Sequence, residues 1–188
     1  MRKSTIVTMK SVLKVLLAAI AWLVIFVLGS TTGLIHPACY AYVGAILPLL
    51  FAFVYLFVCR IIPGFGAAAV LNGFVLVAGL LAGEADTASI IGFVVLAALA
   101  ELIRALCKDK QQGIRWSFVP LAYSFFAYTA HWWFDTEASL AAAVAEMPAG
   151  YDQLMKPVIE NIPALVLALI LTFPIAILSM RLAEKVVK

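Results

Sequence analysis

Residues 12–33 read VLKVLLAAIAWLVIFVLGSTTG, a run in which Lys14 is the only charged side chain. About 20 apolar residues are enough for a helix to cross the hydrocarbon core of a bilayer. Basic residues precede the run, and a basic start followed by an apolar stretch is also typical of a cleaved signal peptide. Because the apolar character continues through Leu34 and Ile35, we expect a membrane span instead.

The composition indicates an all-α integral membrane protein. Of the 188 residues, 65% are hydrophobic and 12% are charged, and the mean hydropathy is +1.10. Soluble domains carry about 25% charged residues. The spans leave no room for a separate ATPase domain within this chain. The net charge of +3 does not indicate nucleic acid as a partner, since the cytoplasmic rim of a membrane protein is basic in any case.

The apolar runs predict six transmembrane helices, at residues 12–33, 40–59, 65–82, 88–107, 116–134 and 162–180. Each run is close to the length that one bilayer requires. The first four connections are short, which favours antiparallel packing of successive helices. We therefore expect residues 1–188 to form one compact six-helix membrane domain.

The basic residues are distributed unequally between the two sides of these spans. Only Lys156 falls on one side. The other side carries Arg2, Lys3, Lys10, Lys14, Arg60, Arg104, Lys108, Lys110, Arg115, Arg181, Lys185 and Lys188. The positive-inside rule therefore places both termini in the cytoplasm and Lys156 outside.

Residues 135–161 form the longest predicted connection and lie on the external side. An Ala-rich pattern at 137–147 and an amphipathic pattern at 151–159 predict that this segment is partly helical. It could cover the outer mouth of the bundle as a lid. An amphipathic helix that rests in the lipid headgroups would show the same pattern, so both interpretations stay open.

Polar and aromatic side chains gather in the predicted outer half. Ser124, Tyr128 and His131 share one face of the fifth span, at positions i, i+4 and i+7. The candidate substrate-binding residues are His131, Tyr128, Trp132, Trp133, Ser124, His36, Tyr40, Asn72 and Lys156. An aromatic cavity with a few polar groups is typical of a small-molecule site. We predict no metal site and no catalytic residue.

Several of these candidates have simpler explanations. Trp132 and Trp133 could belong to the aromatic belt at the membrane interface. Asn72 could form a hydrogen bond between helices. His36 precedes Pro37 and could be a solvated turn residue.

Glu101 and Arg104 lie one turn apart near the cytoplasmic end of the fourth span. At this spacing they can pair with each other, and the Arg104 side chain can reach the polar interface. We therefore predict a structural or partner-docking role rather than catalysis. No ionisable residue is expected in the middle of a span, and no hydrolase or phosphate-binding motif occurs, so we do not expect an enzyme.

Three stretches together resemble a known family. They are Ile62–Ala67 between the second and third spans, Ala100–Arg104 at the end of the fourth span and the basic tail Arg181–Lys185. With six spans in fewer than 200 residues, the chain resembles an S component of an energy-coupling factor (ECF) transporter. More narrowly, it resembles the Trep_Strep group of such proteins.

The resemblance implies a multi-pass, substrate-capturing subunit of the bacterial cytoplasmic (inner) membrane. Such a subunit has no cofactor of its own and associates with a transmembrane coupling protein and two ABC ATPases, which use the ATP. Many S components dock through an Ala-x3-Ala motif in the first span. Here Ala18 and Ala21 are the docking candidates, without that spacing, together with Glu101 and Arg104.

The resemblance does not transfer a substrate, because His131-Trp132-Trp133 replaces the Gly- and Pro-containing motif that the group usually has there. Histidines bind transition metals and aromatic faces stack on planar rings. Haem, a metal chelate or siderophore, and a vitamin-like compound are therefore the candidate substrates. The alternative function is a noncatalytic scaffold or assembly subunit of a membrane complex. A membrane enzyme that uses Glu101 or His131 ranks third.

Overall fold

The computed structural model describes residues 9–107 and 110–187, which are helical and contain no β-strand. Four basic residues assigned to the cytoplasmic side, Arg2, Lys3, Lys108 and Lys188, lie outside these ranges. The helices are α1 (Met9–Thr31), α2 (Pro37–Tyr42), α3 (Pro48–Ile61), α4 (Ala67–Ala82), α5 (Thr87–Leu106), α6 (Gln111–Leu121), α7 (Ser124–Thr129), α8 (His131–Phe134), α9 (Thr136–Glu146), α10 (Tyr151–Glu160) and α11 (Ile162–Val186).

Within the described ranges, α1, α5 and α11 are long and apolar enough to cross a membrane. The pair α2 and α3 is a fourth candidate, with a bend of 44° between its two parts. The second predicted span, 40–59, is thus a broken helix. Pro48 stands at the start of α3, where its missing N–H costs no helical hydrogen bond. Helix α4 is apolar but has only 16 residues.

The fifth predicted span, 116–134, was expected to be one helix, and this is wrong. The segment is divided into α6, α7 and α8. Pro120 lies in the last turn of α6 and cannot donate a backbone hydrogen bond. The chain tightens directly after it, where the amide of Tyr123 donates to the carbonyl of Pro120 at 3.1 Å.

Contacts between the long segments show that they alternate in direction. Trp22 of α1 stacks on Phe51 of α3, with ring centroids 4.2 Å apart, while Gly29, further along α1, lies against Leu47, earlier in the chain. Similar contacts join Asn72 to Phe93 and Ala68 to Glu101 between α4 and α5. Arg115 of α6 contacts Glu184 of α11, while Tyr123, just after α6, contacts Leu169, earlier in α11. Helices α1, α4 and α6 therefore run one way, and α3, α5 and α11 run the other way.

This arrangement gives the bundle two chemically different ends. The basic end, where α1, α4 and α6 begin, carries Lys10, Lys14, Arg60, Arg104, Lys110, Arg115, Arg181 and Lys185. The acidic end, where α1 and α4 finish and α5 begins, carries Glu84, Asp86, Asp135, Glu137, Glu146, Asp152 and Glu160, with Lys156 among them. The charge separation read from the sequence is therefore a property of the folded bundle.

An aromatic cluster fills the centre of the bundle. Phe26 contacts Phe51, Phe93 and Phe125, with ring centroids 5.1 to 5.7 Å apart. The outward faces of α1, α5 and α11 are apolar, with many exposed Leu, Ile and Val side chains. In water such faces would be an aggregation hazard, whereas in a bilayer they contact lipid.

Residues 135–161 contain α9 and α10. Helix α10 packs on the bundle through Tyr151, Met155, Val158 and Ile159, which are buried. The hydroxyl of Tyr42 in α2 donates to the carbonyl of Val158 at 3.0 Å. This segment is therefore held against α2 by its apolar face.

Candidate binding site

A cavity of about 280 Å³ lies at the acidic end, between α1, α4 and α5. Its lining includes Phe26, Ser30, Glu84, Phe93 and Tyr128, and most of the other lining side chains are aliphatic or small. A mostly apolar lining with a few polar groups is the usual character of a small-molecule site. We call this space the α1–α4–α5 cavity.

Three aromatic rings form part of the cavity wall. The ring of Tyr128 meets that of Phe26 edge to face, with centroids 6.3 Å apart and an interplanar angle of 88°. The ring centroids of Phe93 and Phe26 are 5.7 Å apart. The hydroxyl of Tyr128 lies near that of Ser30, which itself donates to the carbonyl of Phe26 at 3.1 Å. The wall therefore combines aromatic faces with two hydroxyl groups.

Among the residues that the structure describes, Glu84 is the only charged side chain in the cavity lining. Its backbone position is determined by the end of α4, where Gly83 has a φ of 77°. The amide of Glu84 donates to the carbonyl of Gly79 at 2.9 Å, which is the Schellman arrangement that ends many helices. No hydrogen bond or ion pair joins the Glu84 carboxylate to another residue in the described ranges. It is therefore open to a ligand.

The other side of this loop is also held in place. Asp86 caps α5, since its carboxylate accepts a hydrogen bond of 2.9 Å from the amide of Ser89. The hydroxyl of Ser89 in turn accepts a hydrogen bond of 3.1 Å from the amide of Asp86. This reciprocal capping box fixes the start of α5. Glu84 thus projects from a short loop that is tied at both ends.

Of the sequence-predicted binding residues, Tyr128 is the one that lines the α1–α4–α5 cavity. Ser124 and Asn72 bind each other instead, with 3.1 Å between Ser124 Oγ and Asn72 Oδ1. The side-chain amide of Asn72 also donates to the backbone carbonyl of Phe93, with 3.4 Å between Nδ2 and the oxygen. Both side chains are almost completely buried. They connect α4, α5 and α7, as the interhelical alternative for Asn72 predicts.

Asn72 also lines a second cavity of about 260 Å³ between α4 and α5. Its lining includes Phe65, Phe93 and Glu101. Small residues such as Gly73 and Ala97 also line it. The polar atoms of Asn72 and Glu101 are already engaged with this chain, so this cavity offers less to a polar ligand than the first.

The two histidines have local partners. His131 Nδ1 lies 2.9 Å from the hydroxyl of Ser139, which joins α8 to α9. His36 is exposed and caps α2, because its Nδ1 accepts a hydrogen bond of 3.1 Å from the amide of Ala38. The prediction that both histidines line a binding pocket finds no support in either cavity. Groups of three or more His, Cys, Asp or Glu side chains suited to a metal ion do not occur in the described ranges.

Most remaining candidates pack within the protein. Trp132 is buried and meets Tyr40 edge to face, with centroids 6.5 Å apart. Trp133 packs against the central core as a partly buried residue. Lys156 is exposed on the outer face of α10. None of these residues lines either cavity, and neither does any other residue of the 135–161 segment.

Glu101 and Arg104 are not at the surface. They are 2% and 0% exposed, so the expectation that Arg104 reaches the polar interface is wrong. The carboxylate of Glu101 accepts hydrogen bonds from the amides of Gly66 and Ala68 at 2.9 and 2.6 Å. Arg104 donates to the carbonyl of Ile62 at 3.0 Å. Both residues hold the turn between α3 and α4.

The two alanines proposed for docking differ in exposure. Ala18 is buried in the core of the protein, whereas Ala21 is exposed. Ala18, Glu101 and Arg104 are therefore parts of the protein interior. Ala21 lies among exposed Leu17, Ile20 and Val24 on the outer face of α1.

The lining residues Phe26, Ser30, Glu84 and Phe93 were not selected from the sequence. Phe26 and Ser30 are four positions apart and share one face of α1, which is the signal that could have identified them. Glu84 follows a helix-ending glycine, a position typical of an ordinary solvated loop. Glu84 lies beside the aromatic residues of the cavity only because α1, α4 and α5 are neighbours, and the sequence does not show which helices are neighbours.

Residues 9–188 match the Trep_Strep family, described as hypothetical bacterial integral membrane proteins. The chain belongs to this family. Membership in Trep_Strep assigns the protein to a membrane, where the exposed apolar faces of α1, α5 and α11 contact lipid. No curated protein and no solved structure matches the chain.

Proposed function

We propose that this Trep_Strep protein is the substrate-binding subunit, or S component, of an ECF-type importer for a scarce small molecule. The observation that carries the proposal is the α1–α4–α5 cavity, which lies at the acidic end of a compact antiparallel bundle. Its aromatic wall, two hydroxyl groups and open carboxylate are suited to binding a solute. The resemblance of Ile62–Ala67 and Ala100–Arg104 to S components adds the transport role.

The proposal includes six membrane spans, formed by α1, α2–α3, α4, α5, α6–α8 and α11. The alternating directions of these segments are consistent with six crossings. Because basic residues favour the cytoplasmic side, the basic end faces the cytoplasm of the bacterium and both termini lie there. The cavity then opens toward the outside, where a nutrient arrives.

A transmembrane coupling protein and two ABC ATPases would associate with the membrane face and the basic end. Ala21 and its exposed neighbours on α1 are the docking surface that we favour. The protein itself is not an enzyme in this proposal, since ATP is hydrolysed by the partner ATPases. The buried Glu101 and Arg104 contribute to docking only by shaping the turn between α3 and α4.

The cavity narrows the range of substrates. Its volume of about 280 Å³ is just below the range for sites that hold drug-sized ligands, about 300–1,000 Å³. Haem and siderophores are larger than such a space, and the two histidines that suggested them lie elsewhere. A vitamin-like compound of modest size is therefore favoured.

Affinity purification from bacterial membranes in mild detergent tests the proposal. We expect a transmembrane coupling protein and a pair of ABC ATPases to copurify with the tagged protein. Ala21→Trp should weaken this recovery, whereas Lys156→Ala, which lies in α10 at the acidic end and outside the α1 surface, should not. Recovery of an unrelated membrane assembly, with no ATPase pair, would instead support the scaffold function and contradict transport.

A further inference from the structure

We propose that the α1–α4–α5 cavity binds a small organic cation whose ammonium group pairs with Glu84 and whose apolar body lies against the aromatic wall. This proposal gives the substrate class for the proposed transport function and rests on that function. It follows from the charge of the lining, the aromatic residues and the field of the acidic end.

The charge of the lining has one sign. Within residues 9–107 and 110–187, Glu84 supplies the only formal charge in the lining, and no Lys or Arg lines the cavity. Its carboxylate has no partner in the described ranges, and Asp86 adds a second negative charge close enough to influence Tyr128. The Glu84 side chain is exposed at the edge of the cavity, so water screens its charge and its pairing with a cation makes a modest contribution to binding.

The aromatic residues of the lining also favour a cation as the ligand. The faces of aromatic rings carry partial negative charge and attract cations, including quaternary ammonium groups. Phe26, Phe93 and Tyr128 all line the space, and Tyr128 is the most exposed of the three, since Phe26 and Phe93 are each 3% exposed. An apolar body that carries an ammonium group would therefore gain from burial against the rings as well as from the pairing with Glu84.

The acidic end acts over a longer range. Its acidic residues outnumber Lys156, the one basic residue that the described ranges place there. A surface of one sign raises the local concentration of oppositely charged solutes. Cations would thus be drawn to the cavity, and anions such as carboxylates and phosphates would be repelled.

The test measures binding of a defined cation to the full-length protein in phosphatidylglycerol nanodiscs. Titration calorimetry with benzyltrimethylammonium is compared with benzyl alcohol and phenylacetate, which carry the same ring with no charge or a negative charge. Empty nanodiscs correct for partitioning. We expect binding of the cation alone, and affinity about fourfold weaker in Glu84→Gln, because an ion pair with a solvent-exposed carboxylate is weak.

Glu146→Gln is the matched control, since it removes the same charge from the acidic end outside the cavity. Its affinity should equal that of the unmodified protein. Equal affinity in Glu84→Gln and Glu146→Gln would overturn the proposal, as would binding of benzyl alcohol as tight as that of the cation. Unchanged melting temperatures of both variants would show that the comparison concerns binding and not folding.

A lipid headgroup could present the same chemistry as a free solute. Repeating the titration in phosphatidylcholine nanodiscs separates these sources, because every lipid then carries a quaternary ammonium group. Because phosphatidylglycerol itself attracts cations, the quantity compared between the two lipids is the ratio of the affinities of the unmodified protein and Glu84→Gln. An unchanged ratio supports a free solute, whereas a ratio that falls to one in phosphatidylcholine would assign the site to the lipid and overturn the substrate assignment. Failure of cation binding with recovery of the ATPases would reject this substrate class only. Cation binding without ATPase recovery would reject the transport function.

Discussion

The carboxylate of Glu101 accepts a hydrogen bond of 2.6 Å from the amide of Ala68, 33 positions earlier in the chain. The amides of Gly66 and Ala69 donate to the same carboxylate, at 2.9 and 3.4 Å. The first amides of a helix have no partner within it, and the helix dipole favours a negative charge there. A side chain of α5 thus provides the cap that the sequence around Gly66 lacks.

Substitution of Glu101 should destabilise the protein. Glu101→Ala leaves the first amides of α4 without this acceptor, and the amide of Ala68 among them is buried. An unsatisfied buried group costs about 1–3 kcal/mol. We expect a loss of about 3 kcal/mol in the free energy of unfolding in mixed micelles. Glu101→Gln retains one acceptor oxygen and should lose about half as much.

Glu137→Ala is the control for this comparison, because Glu137 is exposed in α9 at the other end. Its free energy of unfolding should stay within about 0.5 kcal/mol of the original. If Glu101→Ala behaved like Glu137→Ala, the cap on α4 would not contribute to stability.

Two glycines should respond oppositely to the same substitution. A Cβ at Gly92 in α5 would lie 2.6 Å from the Cβ of Ala127 in α7, whereas a Cβ at Gly73 in α4 meets no atom within 4 Å. Gly92→Ala should therefore destabilise by about 1–3 kcal/mol through overpacking. Gly73→Ala should be neutral or stabilise by up to about 1 kcal/mol, because alanine is the better helix former. Thermal unfolding in detergent measures both, and equal melting temperatures would contradict the close approach of α5 and α7.

The ion pair between α6 and α11 should make a small contribution. Arg115 donates to both carboxylate oxygens of Glu184, at 3.2 and 2.6 Å, but the two side chains are 27% and 10% exposed. Partly exposed pairs contribute up to about 1 kcal/mol. A double-mutant cycle with Arg115→Gln and Glu184→Gln should give about 0.5–1 kcal/mol of coupling at low salt and less at high salt. The cycle of Arg115→Gln with Glu137→Gln should give none, and coupling of the same size there would show that the measured term is not the ion pair.

The helical class and the separation of charge were predictable because each follows from composition and order along the chain. Apolar runs of membrane length recur between basic and acidic segments, and the folded bundle keeps these segments at opposite ends. The break after Pro120 was less predictable, since a proline inside an apolar run can be accommodated in a membrane helix.

The cavity could not be derived in the same way, because it depends on which helices are neighbours. In an unbroken helix, one face would carry Ser124, Tyr128 and His131. In the structure, Ser124 binds Asn72, Tyr128 lines the α1–α4–α5 cavity and His131 contacts Ser139. The chain tightens between α7 and α8, where the amide of Ala130 donates to the carbonyl of Ala127 at 3.4 Å. The sequence predicted Glu101 near the membrane surface, whereas the structure buries it against the first amides of α4. Those amides belong to residues more than 30 positions earlier, so the sequence around Glu101 does not reveal them.

The proposed six-span topology predicts that Lys110 and Lys156 lie on opposite sides of the membrane. Both are exposed, at the start of α6 and in α10 respectively. In a background in which Cys39, Cys59 and Cys107 are replaced by alanine, Lys156→Cys should react with an impermeant maleimide in right-side-out vesicles. Lys110→Cys should react only in inside-out vesicles, because the positive-inside rule places the basic end in the cytoplasm. Labelling of both variants in the same vesicles would contradict six spans, and labelling in the reversed pattern would contradict the orientation that exposes the α1–α4–α5 cavity to an arriving solute.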